Sequence, residues 1–479
     1  MLVEYALRLM NISLAIILGY TLVMMAWGLW MSRQVKGSSD FFVAGRSLGP
    51  GLIAGTFLAA NIGAGSTVGA AGLGYRDGLA AWWWVGSAAV GSFFLAMWVG
   101  PRIRALAAKH DLRTVGDFLE FRYDRRVRAA VSALLWVGSL AILSGQLIAL
   151  AWILNIVAGL PKWLGCLTGG TVVTAYFASG GLLTSVKMNV LQLAVKFFGF
   201  ALALPLALAA VGGFEGLRTM PVPSPGYWHW WQNGSSGWMY LAMLAPAFII
   251  SPGLLQKVYG ARDDRAVRVG VGVNAFVLLL YAVVPVLIGI AARAQFPDLA
   301  SHEMALPKLL ADGLPPLVGA IGLAAVFSAE VSTADAVLFM LTTSLSQDLY
   351  KRFLNPSADD RRVLLVSRVT AIVGAALGTA LAIVSPSVIG ALSIFYTLLS
   401  VSLFVPVAAG LFIASARTRD ALTSMAVGVG AVLVVQFTTG GKGVAGMTPS
   451  LVGLIAAFAG FSISYLARGG ASSAEPATN

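Results

Sequence analysis

Residues Ala329-Glu330-Val331-Ser332-Thr333-Ala334-Asp335 interrupt an otherwise apolar run from about Leu317 to Leu345. Two carboxylates and two hydroxyls at bilayer depth are costly, and such groups persist where they face a protein interior or a water-filled path. Asp335 is i+3 from Ser332, so the two share a helix face. A second anomaly is Lys196, inside the apolar run 183–211. It follows Asn189 by seven residues on one face, with Gln192 between them. If that run starts near Thr184, a rise of about 1.5 Å per residue puts Lys196 about 18 Å up, near the midplane. It also puts Lys196 about 10 Å above Asn189. These residue types allow cation coordination by neutral oxygens, proton exchange on Lys196, a buried ion pair of Lys196 with Glu330 or Asp335, or a fixed charge for an anionic solute.

The elements that must carry these groups are set by composition. The 479 residues are 58% hydrophobic and 11% charged, where soluble domains carry about 25% charged residues. Fifty-four glycines suit closely packed membrane helices. The chain reads as an all-α polytopic membrane protein. The single cysteine, Cys166, excludes an internal disulfide and reads as a packing residue. His110, His229 and His302 fall in loops and form no metal cluster by position. The net charge of +12 reports orientation rather than nucleic-acid binding. The first apolar run, Asn11 to Met31, is long enough to span and reads as a retained helix, not a cleaved signal.

Apolar runs give about thirteen spans: 11–32, 48–74, 79–101, 128–157, 161–179, 183–211, 237–257, 267–293, 315–345, 363–384, 387–413, 421–439 and 449–467. With the N-terminus outside, 24 of the 32 Lys and Arg residues fall on inside segments and 7 outside, with Lys196 inside a span. That asymmetry predicts an outer N-terminus and a cytoplasmic C-terminus in the plasma (inner) membrane. The basic loop 102–128 reads as a solvated anchor and topology signal. The Trp- and Pro-rich segment Met220–Gly237 reads as a structured outer cap at the lipid interface. The tail from Gly469 reads as disordered.

Two spans are expected to be broken: one at Asn61-Ile62-Gly63-Ala64-Gly65-Ser66-Thr67, the other at Ser251-Pro252-Gly253. Irregular backbone at depth is tolerated only where protein or a cavity covers it. The breaks fall in the first span of each of two five-helix units. Paired interrupted helices point to a transporter's binding site near the midplane. The expected division is an extra helix and loop over 1–47, a first repeat over 48–212, an outer loop over 213–236, a second repeat over 237–415, two helices over 416–468 and a tail over 469–479.

Several stretches resemble the sodium:solute symporter family, over roughly Phe41 to Ser415. They are FFVAGRSLG (41–49), LAANIGAGSTVG (58–69), TVGDFLEFRYDRRVR (114–128), GGLLTSVKMNVLQ (180–192), LLQKVYGARDDRAV (254–267) and AAVFSAEVSTADAVLFMLTTSLSQDLYKR (324–352). The resemblance implies a LeuT-like 5+5 inverted repeat with one N-terminal and two C-terminal extra helices. It implies a monomeric secondary active transporter that imports a small polar organic solute with sodium as the coupling ion. The implied sodium ligands are the carbonyls of Ala59, Ile62 and Ala329 and the hydroxyls of Ser332 and Thr333. By position the solute would meet Asn61, Gly65, Ser66, Thr67, Gln146, Phe248, Ser251 and Tyr396, with an aromatic from Trp82–Trp84.

The chain also departs from the family. Where some members place an Asp for a second sodium, this chain has Asn189, and the matching positions of the acidic helix are Asp335 and Ala336. Asp335 is therefore expected to face Asn189 and, with Lys196, to form a second cation or proton site. Some sodium-independent transporters of this fold put a lysine ammonium where sodium sits, so Lys196 supports a proton-coupled or sodium-independent alternative. Glu330 has no assignable equivalent. No HExxH, GxSxG or P-loop is present, which argues against an enzyme or a nucleotide-driven pump. A solute sensor is a remote alternative. The 58–69 stretch lacks a carboxylate, so a neutral, zwitterionic or anionic solute fits better than a cation.

Overall fold

The structure, a computed structural model, describes residues 2–32, 46–177 and 182–467. Residues 41–45 and 180–181 of two motifs above, and the tail expected to be disordered, lie outside the described residues. The described chain is helical apart from a two-stranded ribbon pairing Gln232–Asn233 with Ser236–Gly237. The helices that carry the site are, in order, α1 (Leu2–Ser32), α2 (Pro50–Asn61), α3 (Val68–Asp77), α4 (Trp82–Phe94), α5 (Arg125–Ala158), α6 (Lys162–Phe177) and α7 (Leu182–Ala210). They continue with α8 (Tyr240–Ile250), α9 (Pro252–Tyr259), α10 (Asp264–Tyr281), α11 (Val283–Gln295), α12 (Pro316–Thr343), α13 (Asp360–Val384), α14 (Val388–Ser402), α15 (Thr418–Thr439) and α16 (Pro449–Leu466).

Both expected breaks are present. Between α2 and α3 the chain turns through Ile62 (φ −95°, ψ 87°) and Gly63 (φ −143°, ψ −159°). Gly63 is required by closeness rather than by its dihedrals: a Cβ there would lie 2.2 Å from Thr333 Oγ1. Between α8 and α9 the break is a single residue, Ser251, with ψ 120°. Pro252 causes it, because a proline disfavours α-helical backbone in the residue before it. Pro252 then starts α9 at a position where its missing N–H costs nothing. Around the first break, α2 packs against α7, α10 and α12, and α7 lies along α12. Around the second, α8 packs against α4 and α14, and α14 against α5.

Ten helices among the described residues are long and apolar enough to cross a membrane. The expected thirteen spans are not reached on that criterion. The apolar described part of α1 is Ile12–Met24, α6 has 16 residues, and α3 is counted with the helix that follows it. The segment Met220–Gly237 is structured: Tyr227 is buried, its hydroxyl donates to Gly74 O (2.8 Å), and Leu79 N donates to Tyr227 O. The basic loop is only partly solvated. Arg122 donates to the carbonyls of Gly410, Ile413, Ala414 and Ala416. Arg128 is buried against Asp117, Glu120 and Asp348. Backbone carbonyls hold Arg122 and carboxylates hold Arg128, which takes both side chains out of the solvent role that composition alone suggested.

Candidate functional site

Three of the five groups expected to hold a cation meet at the Lys196 ammonium, between α2 and α12. Lys196 Nζ donates to Ala59 O at 2.7 Å, Ile62 O at 2.8 Å and Ser332 Oγ at 2.7 Å. An ammonium has three donors, and all three are used. Ser332 Oγ, while accepting from Lys196, lies 3.0 Å from Ala329 O and 3.1 Å from Ala59 O, either of which can take its proton. Thr333 Oγ1 is farther out, 3.3–3.4 Å from the carbonyls of Ala59, Ala60 and Ile62. Lys196 is fully buried. The two carbonyls it caps are freed by the break, since an interrupted helix leaves acceptors without intrahelical partners.

Beside this point lies a cavity of about 30 Å³, lined by six of the eight residues expected to meet the solute: Asn61, Gly65, Ser66, Gln146, Phe248 and Tyr396. Trp84 joins them, edge-on to Tyr396 with ring centres 6.1 Å apart. Phe248 and Tyr396 rings lie 5.4 Å apart and complete an aromatic wall. The polar side is anchored to backbone. Gln146 Oε1 accepts from Ala64 N (2.9 Å), and Ser66 Oγ donates to Asn61 O (2.8 Å). Asn61 Nδ2 donates to Asn274 Oδ1 (3.0 Å). Asn274, a lone amide in the apolar run of α10, was not singled out from the sequence, although its isolation there was the available signal.

Two expected solute residues sit elsewhere. Thr67 turns to the other side of the break, where its hydroxyl lies 2.7 Å from Glu330 Oε1 and 3.0 Å from Gly63 O. Glu330 thereby gains a partner, while its Oε2 has none among the described residues. Ser251 lines a neighbouring cavity of about 60 Å³, which shares Asn61, Phe248 and Tyr396 with the first and adds Gly253, Lys257 and Met340. Asn189 Nδ2 donates to Thr56 Oγ1 on α2 (3.1 Å). No ion pair joins Lys196 to Glu330 or Asp335 among the described residues; Ala59 O, Ile62 O and Ser332 Oγ accept its three hydrogen bonds instead.

Two broken helices facing each other around a polar cavity, with a cation position at the first break, define a secondary transporter built on an inverted repeat. The sequence model of the sodium:solute symporter family matches residues 41–428, and the chain belongs to that family. Among its relatives are a sodium/glucose cotransporter of Vibrio parahaemolyticus, 25% identical over 425 residues and covering 78% of this chain and 74% of its own. Another is a sodium/pantothenate symporter of Escherichia coli strain K12, 27% identical over 417 residues, covering 81% and 83%. The fold is similar to that of a Na+-coupled sialic acid symporter in a substrate-bound outward-open state. That similarity has a TM-score of 0.80 at 19% identity over 95% of this chain and 98% of the other. The chain is thus a membrane-embedded secondary transporter of small solutes with the LeuT-type fold, in a family of sodium-coupled transporters rather than enzymes.

Proposed function

We propose that this chain imports a small polar organic solute by alternating access, in exchange with a cation position that Lys196 and the coupling ion occupy in turn. The observation that carries it is the Lys196 ammonium bonded to Ala59 O, Ile62 O and Ser332 Oγ. Sodium is a hard cation suited to such neutral oxygens, and Ala329 O and Thr333 Oγ1 complete the set. Two unit charges about 4 Å apart repel by about 4 kcal/mol at an effective dielectric of 20. Sodium therefore enters only as Lys196 withdraws. The solute passes through the cavity bounded by Asn61, Ser66, Gln146, Phe248 and Tyr396. The excess of basic residues on alternate loops supports a plasma (inner) membrane orientation with the N-terminus outside, and the chain is read as a monomer.

A second reading is favoured by the complete use of the three ammonium protons: Lys196 holds the position throughout, and transport runs without sodium. Proteoliposomes separate the two. Under the exchange reading, uptake needs an inward sodium gradient, and Lys196→Met raises the apparent sodium affinity by more than about tenfold as the like charge is removed. Sodium chloride, against potassium chloride, then stabilises Lys196→Met thermally more than the parent. Uptake that is indifferent to replacing sodium by potassium would sink the exchange reading and leave the second.

A further inference from the structure

The inner cavity carries a positive charge that the transport reading does not use. Lys257 is buried, with 3% of its surface exposed, and lines the cavity beside Ser251 and Gly253. Its ammonium makes no hydrogen bond and no ion pair with any described residue. The opposite charge whose field reaches it is Asp335 on α12. A buried ammonium with three unused donors is costly, and such groups within a bundle mark a ligand path.

The backbone around it has the same polarity. Lys257 is i+4 from Gly253, so both lie on one face of α9, and both line the cavity. Pro252 has no N–H, and the amides of Leu254 and Leu255 return to Ser251 O at 3.0 and 2.8 Å. That leaves the Gly253 N–H as the amide of the first turn not bonded back to Ser251, at the positive end of the α9 dipole, where the N-termini of half-helices receive anionic solute groups. A Cβ on Gly253 would meet nothing nearer than Met340 Sδ at 3.8 Å, so a ligand can approach the backbone there. Phe248 and Tyr396 line both cavities, so the two adjoin.

We propose that the solute is an organic carboxylate, and that Lys257 and the N-terminus of α9 form the subsite that receives its acid group. This rests on the transport reading above and adds the solute's charge. The aromatic pair Phe248 and Tyr396 covers the organic part, while the acid group lies toward Lys257. Cationic solutes are rejected by the same charge.

The test uses the full chain in lipid nanodiscs and matched probes: lactate with lactamide, benzoate with benzamide, glycerate with glycerol, and choline. Thermal unfolding is followed as each is titrated. At least one acid is expected to stabilise the protein while its neutral partner and choline do not. Lys257→Gln should weaken that acid by about tenfold, the scale of one charge-assisted hydrogen bond, and Lys257→Arg should keep most of the affinity. Neutral partners that stabilise as well as the acids would overturn the inference and leave the transport reading standing. Failure of every acid would also overturn it, and the transport reading is then decided by the uptake assay above. A Lys257→Gln protein that unfolds earlier without ligand but binds the acid as the parent does would mark Lys257 as structural, which also overturns it.

Discussion

At the scale of single residues, the site depends on how closely α2's break approaches α12. Gly63 sets that distance, because any side chain there would overlap Thr333. Gly63→Ala should push the break away from Thr333 and loosen the carbonyls that hold Lys196, at a cost of about 1–3 kcal/mol from overpacking. The expected outcome is a protein that inserts and is recovered, but whose uptake in proteoliposomes is lost; parent-like uptake would refute the role given to Gly63. Much of this was legible in the sequence. The Gly-x-Gly and Ser-Thr stretches announced a break and a partner helix, and the helical rise alone put Lys196 at the right depth. Its partners Ala59, Ile62 and Ser332 came from the family resemblance and not from spacing, since carbonyls are identical at every residue and only the fold decides which are free. Lys257 was missed for another reason. It lies at a span boundary and was counted among the inner loop charges, and only the α8–α9 break turns it into the cavity.

At the scale of elements, the arginine-rich end of the bundle, the inner one under the proposed orientation, is fastened by short pieces outside the long helices. Helix Val115–Arg122 is capped by Thr114, which accepts from Asp117 N at 3.0 Å. It presents Glu120 to Arg128 on α5 (3.0 Å) and to Arg352 in the π-helical stretch Ser344–Leu354 that continues α12 (2.8 Å). Burial pushes the Glu120 carboxyl up, but the Arg352 and Arg128 guanidiniums outweigh it and hold the group below the usual carboxylate range. A carboxyl lowered in the folded state stabilises above its unfolded pKa of about 4.3, and that contribution is lost as pH falls through the folded value. Unfolding temperature should therefore drop on acidification below about pH 4.5. Glu120→Gln should lower it already at neutral pH, by the equivalent of about 1–3 kcal/mol, and remove part of the acid dependence. Parent-like unfolding of the variant, at neutral and acid pH alike, would show that the fastening contributes nothing.

At the scale of the whole molecule, the cavity between the breaks is about 30 Å³, room for about two waters at about 10–15 Å³ each. An organic solute needs it wider, so one face of the bundle must part. On the face opposite the arginine-rich one, the loop 220–237 is clasped to the end of α3. Asp77 is buried and its carboxylate accepts from Arg76 Nη2 (2.8 Å), Ser236 Oγ (2.6 Å) and Ser235 Oγ (3.2 Å). Trp82 and Trp83 pack on Trp230 and Trp231, with ring centres 4.7 and 5.4 Å apart. The two fastenings sit on opposite ends of one cavity, and alternating access requires that they open in turn rather than together. A reporter for this is available because the native cysteine, Cys166, is buried. Ala88, which lines the cavity, replaced by Cys gives one reactive site in an otherwise silent background. Adding Asp77→Asn should raise the rate at which a membrane-impermeant thiol reagent reaches that cysteine from the outer face, by about tenfold for a clasp worth 1.4 kcal/mol. Adding Glu120→Gln instead should lower that rate, because releasing the inner fastening shifts the population toward the inward-open form. If both variants raise it, the two ends are not coupled, and the cavity is a pore with two independent plugs.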